Sequence, residues 1–360
     1  MKILDAMPQR YPTNVTLELT LRCNLRCKMC MFRHSDSEDK RLLENELTAE
    51  QWADMAQQIC DAGALNLLIT GGEPLIRKDF SEIYRAFYKL GFIITLYTNA
   101  IPVTEEIMET FRECPPHRIG ITLYGSTNET YEKLCGCANG FDRAMAGIEA
   151  LSELPSLLEF RTTVVQDNFD EIDCLSHLIK EKFNSTVTHS FTVFQSVRGG
   201  SMPVAQCRLT PEQNIDLTVK RTADAVRDKI PADMLNKIEL RLVEKEPCCT
   251  SENKEYTLLG CNGGMDSCTL TWDGKLLGCQ MLGCFQTDAL KLGFAKAWDE
   301  WPYTVRLPEV NEECRACKHI DDCTVCPAVR MAECGDLRSK PESICSLTKG
   351  LAMKRGENLL

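Results

Sequence analysis

The residues best suited to chemistry in this 360-residue chain are its cysteines, twenty-one of them against five histidines. Three fall in one short stretch, Cys23-Asn24-Leu25-Arg26-Cys27-Lys28-Met29-Cys30. Thiols this close share a loop, and three thiolates can hold three irons of a cubane while leaving the fourth iron open to a substrate atom. The competing use, a tetrahedral zinc, wants a fourth protein ligand nearby. His34 is the one candidate, in a polar stretch where a histidine is ordinarily solvated. A second concentration follows later: Cys261, Cys268, Cys279 and Cys284, then Cys314-x2-Cys317-x5-Cys323-x2-Cys326, then Cys334 and Cys345. Paired CxxC steps of this kind suit a zinc ribbon or an iron–sulfur cluster.

Composition narrows the setting. A 44% hydrophobic and 26% charged chain has the makings of a proper core. A formal net charge of −11 argues against a nucleic-acid partner, which would need surplus Lys and Arg on one face. No apolar run approaches membrane-spanning length, and residues 1–10 lack a signal-peptide design. A cytoplasmic protein with no membrane partner is expected, and there a reducing environment keeps thiols free for metal rather than disulfides.

The elements that must position the first cysteines alternate regularly. Strand patterns over 15–21, 65–70, 92–98, 118–124, 157–165 and 189–194 are separated by helical patterns over 48–62, 79–90, 105–112, 141–154 and 170–183. Successive βα units of this spacing predict an α/β fold with a parallel sheet, and six units are too few for a closed eight-fold barrel. A partial (β/α)6 TIM-type barrel over 14–210 is expected. Residues 211–247 read as a helical bridge, and 248–350 as a small cysteine-rich iron–sulfur domain with its boundary near Pro247. In such a barrel the C-terminal ends of the strands carry the active site, which is where the three-cysteine loop falls.

The CxxxCxxC spacing resembles that of the radical SAM superfamily. Gly71-Gly72-Glu73-Pro74, after the second strand, is similar to that family's GGEP segment. The resemblance implies that Cys23, Cys27 and Cys30 hold a catalytic [4Fe–4S] cluster. It also implies that Gly71, Gly72 and Glu73 contact the amino group of S-adenosylmethionine. Thr98 and Asn99 would lie near the adenosine, with Thr122, Ser126 and Arg161 contacting ribose and carboxylate. Met29 stands where relatives often carry an aromatic residue, and its polarisable sulfur can pack beside adenine. The C-terminal pattern, Cys261 through Gly274-x4-Cys279 and onward, resembles a SPASM domain with two auxiliary [4Fe–4S] clusters. By analogy one takes Cys261, Cys268, Cys279 and Cys326, and the other Cys314, Cys317, Cys323 and Cys345. Cys284 and Cys334 are the alternates for Cys268 and Cys345, and the x2 step before Cys326 departs from the common x3.

What the resemblance implies about activity is reductive cleavage of S-adenosylmethionine to a 5′-deoxyadenosyl radical that abstracts hydrogen from a substrate. SPASM-bearing relatives mostly modify peptides and proteins, so the leading expectation is a maturase of a ribosomally made peptide. It would install a thioether or carbon–carbon crosslink, or epimerise a residue. The alternative is an anaerobic sulfatase-maturating type of enzyme that makes formylglycine. A non-catalytic iron–sulfur electron carrier would leave GGEP and Thr98-Asn99 without purpose. Expected partners are a peptide or protein substrate and an electron donor such as flavodoxin or ferredoxin. With only 22 residues before Cys23, leader recognition would fall to another surface or a separate protein. Cys135, Cys137 and Cys207, in stretches that face a barrel mouth, are candidates to donate a hydrogen atom to a substrate radical.

Overall fold

A computed structural model describes residues 9–32, 36–190, 193–194, 198, 204–227 and 257–354. His34, Pro247, Cys248 and Cys249 lie outside these, as does most of the expected bridge. The chain divides into two compact units, one within Met1–Arg208 and Tyr256–Arg306, the other within Leu209–Glu255 and Leu307–Leu360.

The first unit is built on six parallel strands: β1 (Asn14–Glu18), β2 (Asn66–Thr70), β3 (Ile93–Thr98), β4 (Arg118–Thr122), β5 (Leu157–Thr163) and β6 (Val187–Ser190). Seven helices accompany them: α1 (Asp36–Asn45), α2 (Ala49–Asp61), α3 (Phe80–Lys89), α4 (Glu105–Glu113), α5 (Asn128–Cys135), α6 (Gly140–Leu151) and α7 (Ile172–Phe183). The expected partial barrel is therefore present. Alternation along each strand decides its two faces. Leu17, Ile69, Leu96 and Ile119 stand in register across four strands, all fully buried. Trp52 of α2, Phe80, Tyr84 and Phe87 of α3, and Phe111 of α4 are also fully buried. Burying a large apolar side chain is worth about 1.5–3 kcal/mol, so this layer fixes the strand register. Polar residues take the in-between positions toward the C-terminal strand ends: Glu18 pairs with Thr70 across β1 and β2, and Thr122 with Arg161 across β4 and β5.

The sheet does not end at β1. Strand β7 (Ser267–Leu270) adds parallel to it, and β8 (Lys275–Leu277) and β9 (Gln286–Asp288) continue antiparallel. Residues expected to belong wholly to the cysteine-rich domain thus extend the barrel sheet. Here Gly264 and Gly278 lie against the Trp301 ring, where an added Cβ would come within 2.0 and 2.2 Å.

The second unit is smaller. It contains α8 (Pro211–Arg227), α9 (Pro327–Cys334) and α10 (Glu342–Met353), with a single helical turn over Glu312–Arg315. Helix α10 packs on α8, and at Gly350 a Cβ would lie 2.1 Å from Ile215 Cδ1. No helix among the described residues is long and apolar enough to cross a membrane.

Candidate active site

Chain entry into the three-cysteine loop is fixed by a buried charge network. Arg22 Nε donates to Glu46 at 2.8 Å, and Thr20 Oγ1 donates to the same carboxylate. The buried Arg77 reaches Glu46 as well, and also donates to the Leu19 and Leu47 carbonyls, both at 2.9 Å. Removing one partner of such a buried set would strand the others. Glu18, wholly buried just upstream, accepts from Arg198 at 2.6 Å and from Gln280 at 2.8 Å.

Beyond this anchor the thiols take their places. The Leu25 and Phe32 amides donate to the sulfurs of Cys23 and Cys30, each at 3.4 Å. Cys27 is buried, with Cys135 and Tyr124 beside it. In the free thiols, the Cys135 contact and burial push Cys27 well up, while burial and then Glu73 do the same for Cys23. All three line a cavity of about 190 Å³ at the strand ends, together with Gly71, Gly72, Glu73, Thr98, Asn99 and Thr122. Among the described residues no three Cys, His, Asp or Glu side chains surround a single ion-sized point.

The glycines of the GGEP segment serve the chain itself. A Cβ on Gly71 would sit 2.1 Å from the Thr20 carbonyl oxygen, and one on Gly72 would sit 2.2 Å from that of Arg22. Gly71 also has a φ of +147°, and the Gly72 and Glu73 amides donate to the same two carbonyls at 2.7 and 2.9 Å. The segment is thereby clasped to the backbone that leads into Cys23.

Glu73 is 1% exposed and accepts three hydrogen bonds: Thr98 Oγ1 at 2.8 Å, the Asn99 amide at 2.7 Å and the Leu75 amide at 3.1 Å. Burial outweighs these donors and pushes its carboxyl up to about 7. Thr98 and Asn99 thus hold Glu73, and the Asn99 side chain reaches Asn24 at 2.8 Å and Cys23 Sγ at 3.9 Å.

Two expected contacts fall differently. The Arg161 guanidinium lies 3.7 Å from the centroid of Tyr97, a cavity-lining ring, with its buried Nε lacking a hydrogen-bond partner. Gly120 makes room for the pair, since a Cβ there would come within 2.7 Å of the ring. Ser126 instead gives both its amide and its hydroxyl to Glu171, at 2.7 and 3.0 Å, and is not among the cavity's lining residues. Met29 is buried and does not line the cavity either; Phe32 does. Tyr97, Tyr124 and Asn24 were not singled out by sequence. The signal for the first two was available in the alternation of β3 and β4, which places Tyr97 and Tyr124 on the Thr122 side.

Of the candidate hydrogen donors, Cys135 and Cys207 are buried and Cys137 half-buried, and none of the three is among this cavity's lining residues. Among the C-terminal cysteines, Cys261 and Cys284 are exposed and Cys279 half-buried in the first unit. Cys268 is sealed on β7, where burial pushes its thiol up to about 12. In the second unit Cys314, Cys317, Cys323, Cys326, Cys334 and Cys345 are all half-buried. There the buried Arg330 donates to Cys314 Sγ at 3.6 Å and to the Ser339 carbonyl at 2.7 Å.

The family model of the radical SAM superfamily matches residues 17–175, from β1 into α7. The chain is 26% identical over 346 residues to an AdoMet-dependent heme synthase of Methanosarcina barkeri, covering 92% of this chain and 96% of that protein. An Fe-coproporphyrin III synthase of the same organism is 24% identical, over 92% of this chain and 84% of its own. In fold, Streptococcus suis SuiB bound to the precursor peptide SuiA matches with a TM-score of 0.67 at 18% identity, over 93% of this chain and 76% of SuiB. The protein anSMEcpe with bound AdoMet matches with a TM-score of 0.63 at 15% identity, over 95% and 96%. The three-cysteine loop and the GGEP segment both lie inside the span that matches the radical SAM superfamily model.

Proposed function

We propose that the cavity at the strand ends binds S-adenosylmethionine against a [4Fe–4S] cluster on Cys23, Cys27 and Cys30, and that the enzyme modifies a peptide or protein. The observation that carries this is the convergence of three thiols, the clasped Gly71-Gly72 turn and the buried Glu73 on one cavity. When bound, cluster and S-adenosylmethionine together supply a 5′-deoxyadenosyl radical. The protein's part is to place and shield the reactants. Glu73, fixed through both oxygens, accepts from the ligand's ammonium. Arg161, stacked on the cavity-lining Tyr97 and paired with Glu159 at 3.5 Å, would have to reach past that ring to a carboxylate or ribose oxygen beside Thr122. Leu21, Leu25 and Phe32 give the cavity apolar walls that exclude water.

The peptide reading takes support from the likeness to SuiB with its precursor peptide and to anSMEcpe with bound AdoMet and peptide. Its products would be a thioether or carbon–carbon crosslink, an epimerised residue or, in the sulfatase-maturating variant, formylglycine. A second reading, an iron–porphyrin substrate, is favoured by the two Methanosarcina relatives, which align over 92% of the chain. Two auxiliary clusters on the C-terminal cysteines belong to the proposal, and the exposure of Cys284 against the sealed Cys268 favours Cys284 as a ligand. The deciding experiment supplies anaerobically reconstituted enzyme with S-adenosylmethionine, reductant and, in separate reactions, candidate peptides or Fe-coproporphyrin III. Formation of 5′-deoxyadenosine with a mass change on peptide alone supports the first reading. A changed porphyrin with unchanged peptides would establish the second, and no 5′-deoxyadenosine in any reaction would sink both.

A further inference from the structure

The three loop thiols are not held alike. Cys23 and Cys30 each accept the amide two residues further on, at 3.4 Å, as short cysteine loops commonly arrange. Cys27 has neighbours from outside the loop: Tyr124 shares its cavity wall, and the end of α5, with Cys135, is hydrogen-bonded to the residues on either side of it. Both come from the chain that follows β4. Tyr124 is two residues past the end of that strand, and Cys135 is the last residue of α5.

This proximity is built into the backbone. Helix α5 ends at Gly136, whose φ of +68° closes the helix and leaves terminal carbonyls in need of donors. The cysteine loop supplies them: the Arg26 amide donates to the Cys135 carbonyl at 2.8 Å and the Lys28 amide to the Leu134 carbonyl at 2.9 Å. Asp167 adds a bridge between the two segments, accepting from Lys28 at 2.6 Å and Lys133 at 3.0 Å. Cys27 lies between those two amides in sequence, which brings it beside the end of α5. Cys135 has no solvent exposure there.

We infer that Cys135 and Tyr124 are positioning residues that donate hydrogen bonds to the Cys27 sulfur and raise the reduction potential of the barrel cluster. This rests on the reading of Cys23, Cys27 and Cys30 as its ligands. Once Cys27 binds iron as a thiolate it is an acceptor only, and the neighbouring S–H and O–H become its donors. Hydrogen bonds to a ligand sulfur draw off electron density and favour the more negative, reduced cluster. A potential raised in this way brings the cluster within reach of a physiological one-electron donor.

The test is an EPR-monitored redox titration of reconstituted wild type and of Cys135→Ala, Cys135→Ser and Tyr124→Phe, with iron content measured for each. The barrel cluster is told apart from any other by the change in its signal when S-adenosylmethionine is added. Cys135→Ala and Tyr124→Phe should each lower the one-electron reduction equilibrium about tenfold, or about 59 mV. Cys135→Ser, which keeps an O–H, should stay within about threefold of wild type. Wild-type potential in both Cys135→Ala and Tyr124→Phe at full iron content would overturn the inference. A Ser variant shifted as far as the Ala variant would do so too, since only packing would then matter. Should Cys135→Ala fail to take up iron, Tyr124→Phe, which removes one oxygen, decides alone. If the signal that responds to S-adenosylmethionine survives in a Cys23→Ala/Cys27→Ala/Cys30→Ala protein, the ligand reading itself falls, and this inference with it.

Discussion

In the barrel unit the cysteine loop is gripped from three directions: Glu46 and Arg77 at its entry, the GGEP backbone beside it, and the end of α5 behind it. In the second unit Cys314 sits in a single helical turn, Cys317 and Cys323 in the stretch after it, and Cys326 at the start of α9, all half-buried. Their visible support is Arg330, which touches Cys314 and two carbonyls of the loop after α9. The first arrangement is fixed by the fold itself, before any of the proposed clusters binds. Among the described residues the second holds its cysteines on a single turn, a connecting stretch and helix starts, the condition in which metal binding supplies folding free energy.

Stripping the metal should expose this difference most sharply. Chelated, anaerobic apoprotein should keep the barrel unit protected against limited proteolysis and lose protection across residues 307–354. Equal protection of both units would show that the second stands without metal. The same comparison predicts iron content: roughly twelve irons in the wild type and roughly eight in a Cys23→Ala/Cys27→Ala/Cys30→Ala variant, at four per cluster. A wild-type count near four, or zinc as the principal metal, would remove the auxiliary clusters.

Next in size are changes to the clasp. Gly72→Ala would force a methyl to within 2.2 Å of the Arg22 carbonyl, so the turn and the cysteine loop must part. S-adenosylmethionine binding should then be lost, as read by calorimetry or equilibrium dialysis. Glu73→Gln keeps the shape and removes a charge-assisted contact worth about 1.5–3 kcal/mol, so affinity should fall roughly 10- to 100-fold. Wild-type affinity in either variant would mean that the segment is only a turn.

Glu73 also gives the preorganised site a pH signature. Its carboxyl titrates near 7 in the folded protein, above the unfolded value, because burial disfavours the charge. Without ligand, its contribution to stability is fully present below the unfolded value and is lost as pH rises through about 7. That amounts to roughly 3 kcal/mol across the window. An ammonium group bound beside it reverses the preference, so S-adenosylmethionine affinity should rise from pH 6 to 8 and then level off. Glu73→Gln should flatten that rise. A rise that persists in the Gln variant would assign the titration to another group.

Much of this site was legible in the sequence because its motifs sit at strand ends, where alternation and spacing are strong signals. Strands β2 to β5 fall where the periodicity puts them, within two residues. Helix α5 escaped, although Thr127 caps its start and Gly136 closes it. It is one residue longer than two turns, and polar outside Tyr131, Leu134 and Cys135. Without that helix, Cys135 reads only as a thiol in a stretch that faces the barrel mouth. The continuation of the sheet through β7 escaped for another reason: its partner β1 lies about 250 residues away, beyond any local pattern. Thr98 and Asn99 were found as site residues, but their grip on Glu73 depends on hydrogen bonds that only the fold discloses.

The smallest expected effect marks where the preorganised site stops and its scaffold begins. Ser126 and Thr122 both lie at the end of β4, and sequence alone gives them the same role. The structure separates them: Thr122 lines the cavity, whereas Ser126 joins Thr127 and Thr130 in holding the Glu171 carboxylate. Glu171 is held below its ordinary range by these donors, against the opposing effect of burial. Ser126→Ala removes the hydroxyl and leaves the backbone amide in place, so it should cost at most about 1 kcal/mol of stability. Its affinity for S-adenosylmethionine should stay within about twofold of wild type, a difference below about 0.4 kcal/mol. Thr122→Val, which swaps a hydroxyl for a methyl at the cavity wall, should weaken binding several-fold at nearly unchanged melting temperature. Were the two variants to exchange these behaviours, the cavity's boundary would have to be redrawn to include the Glu171 corner.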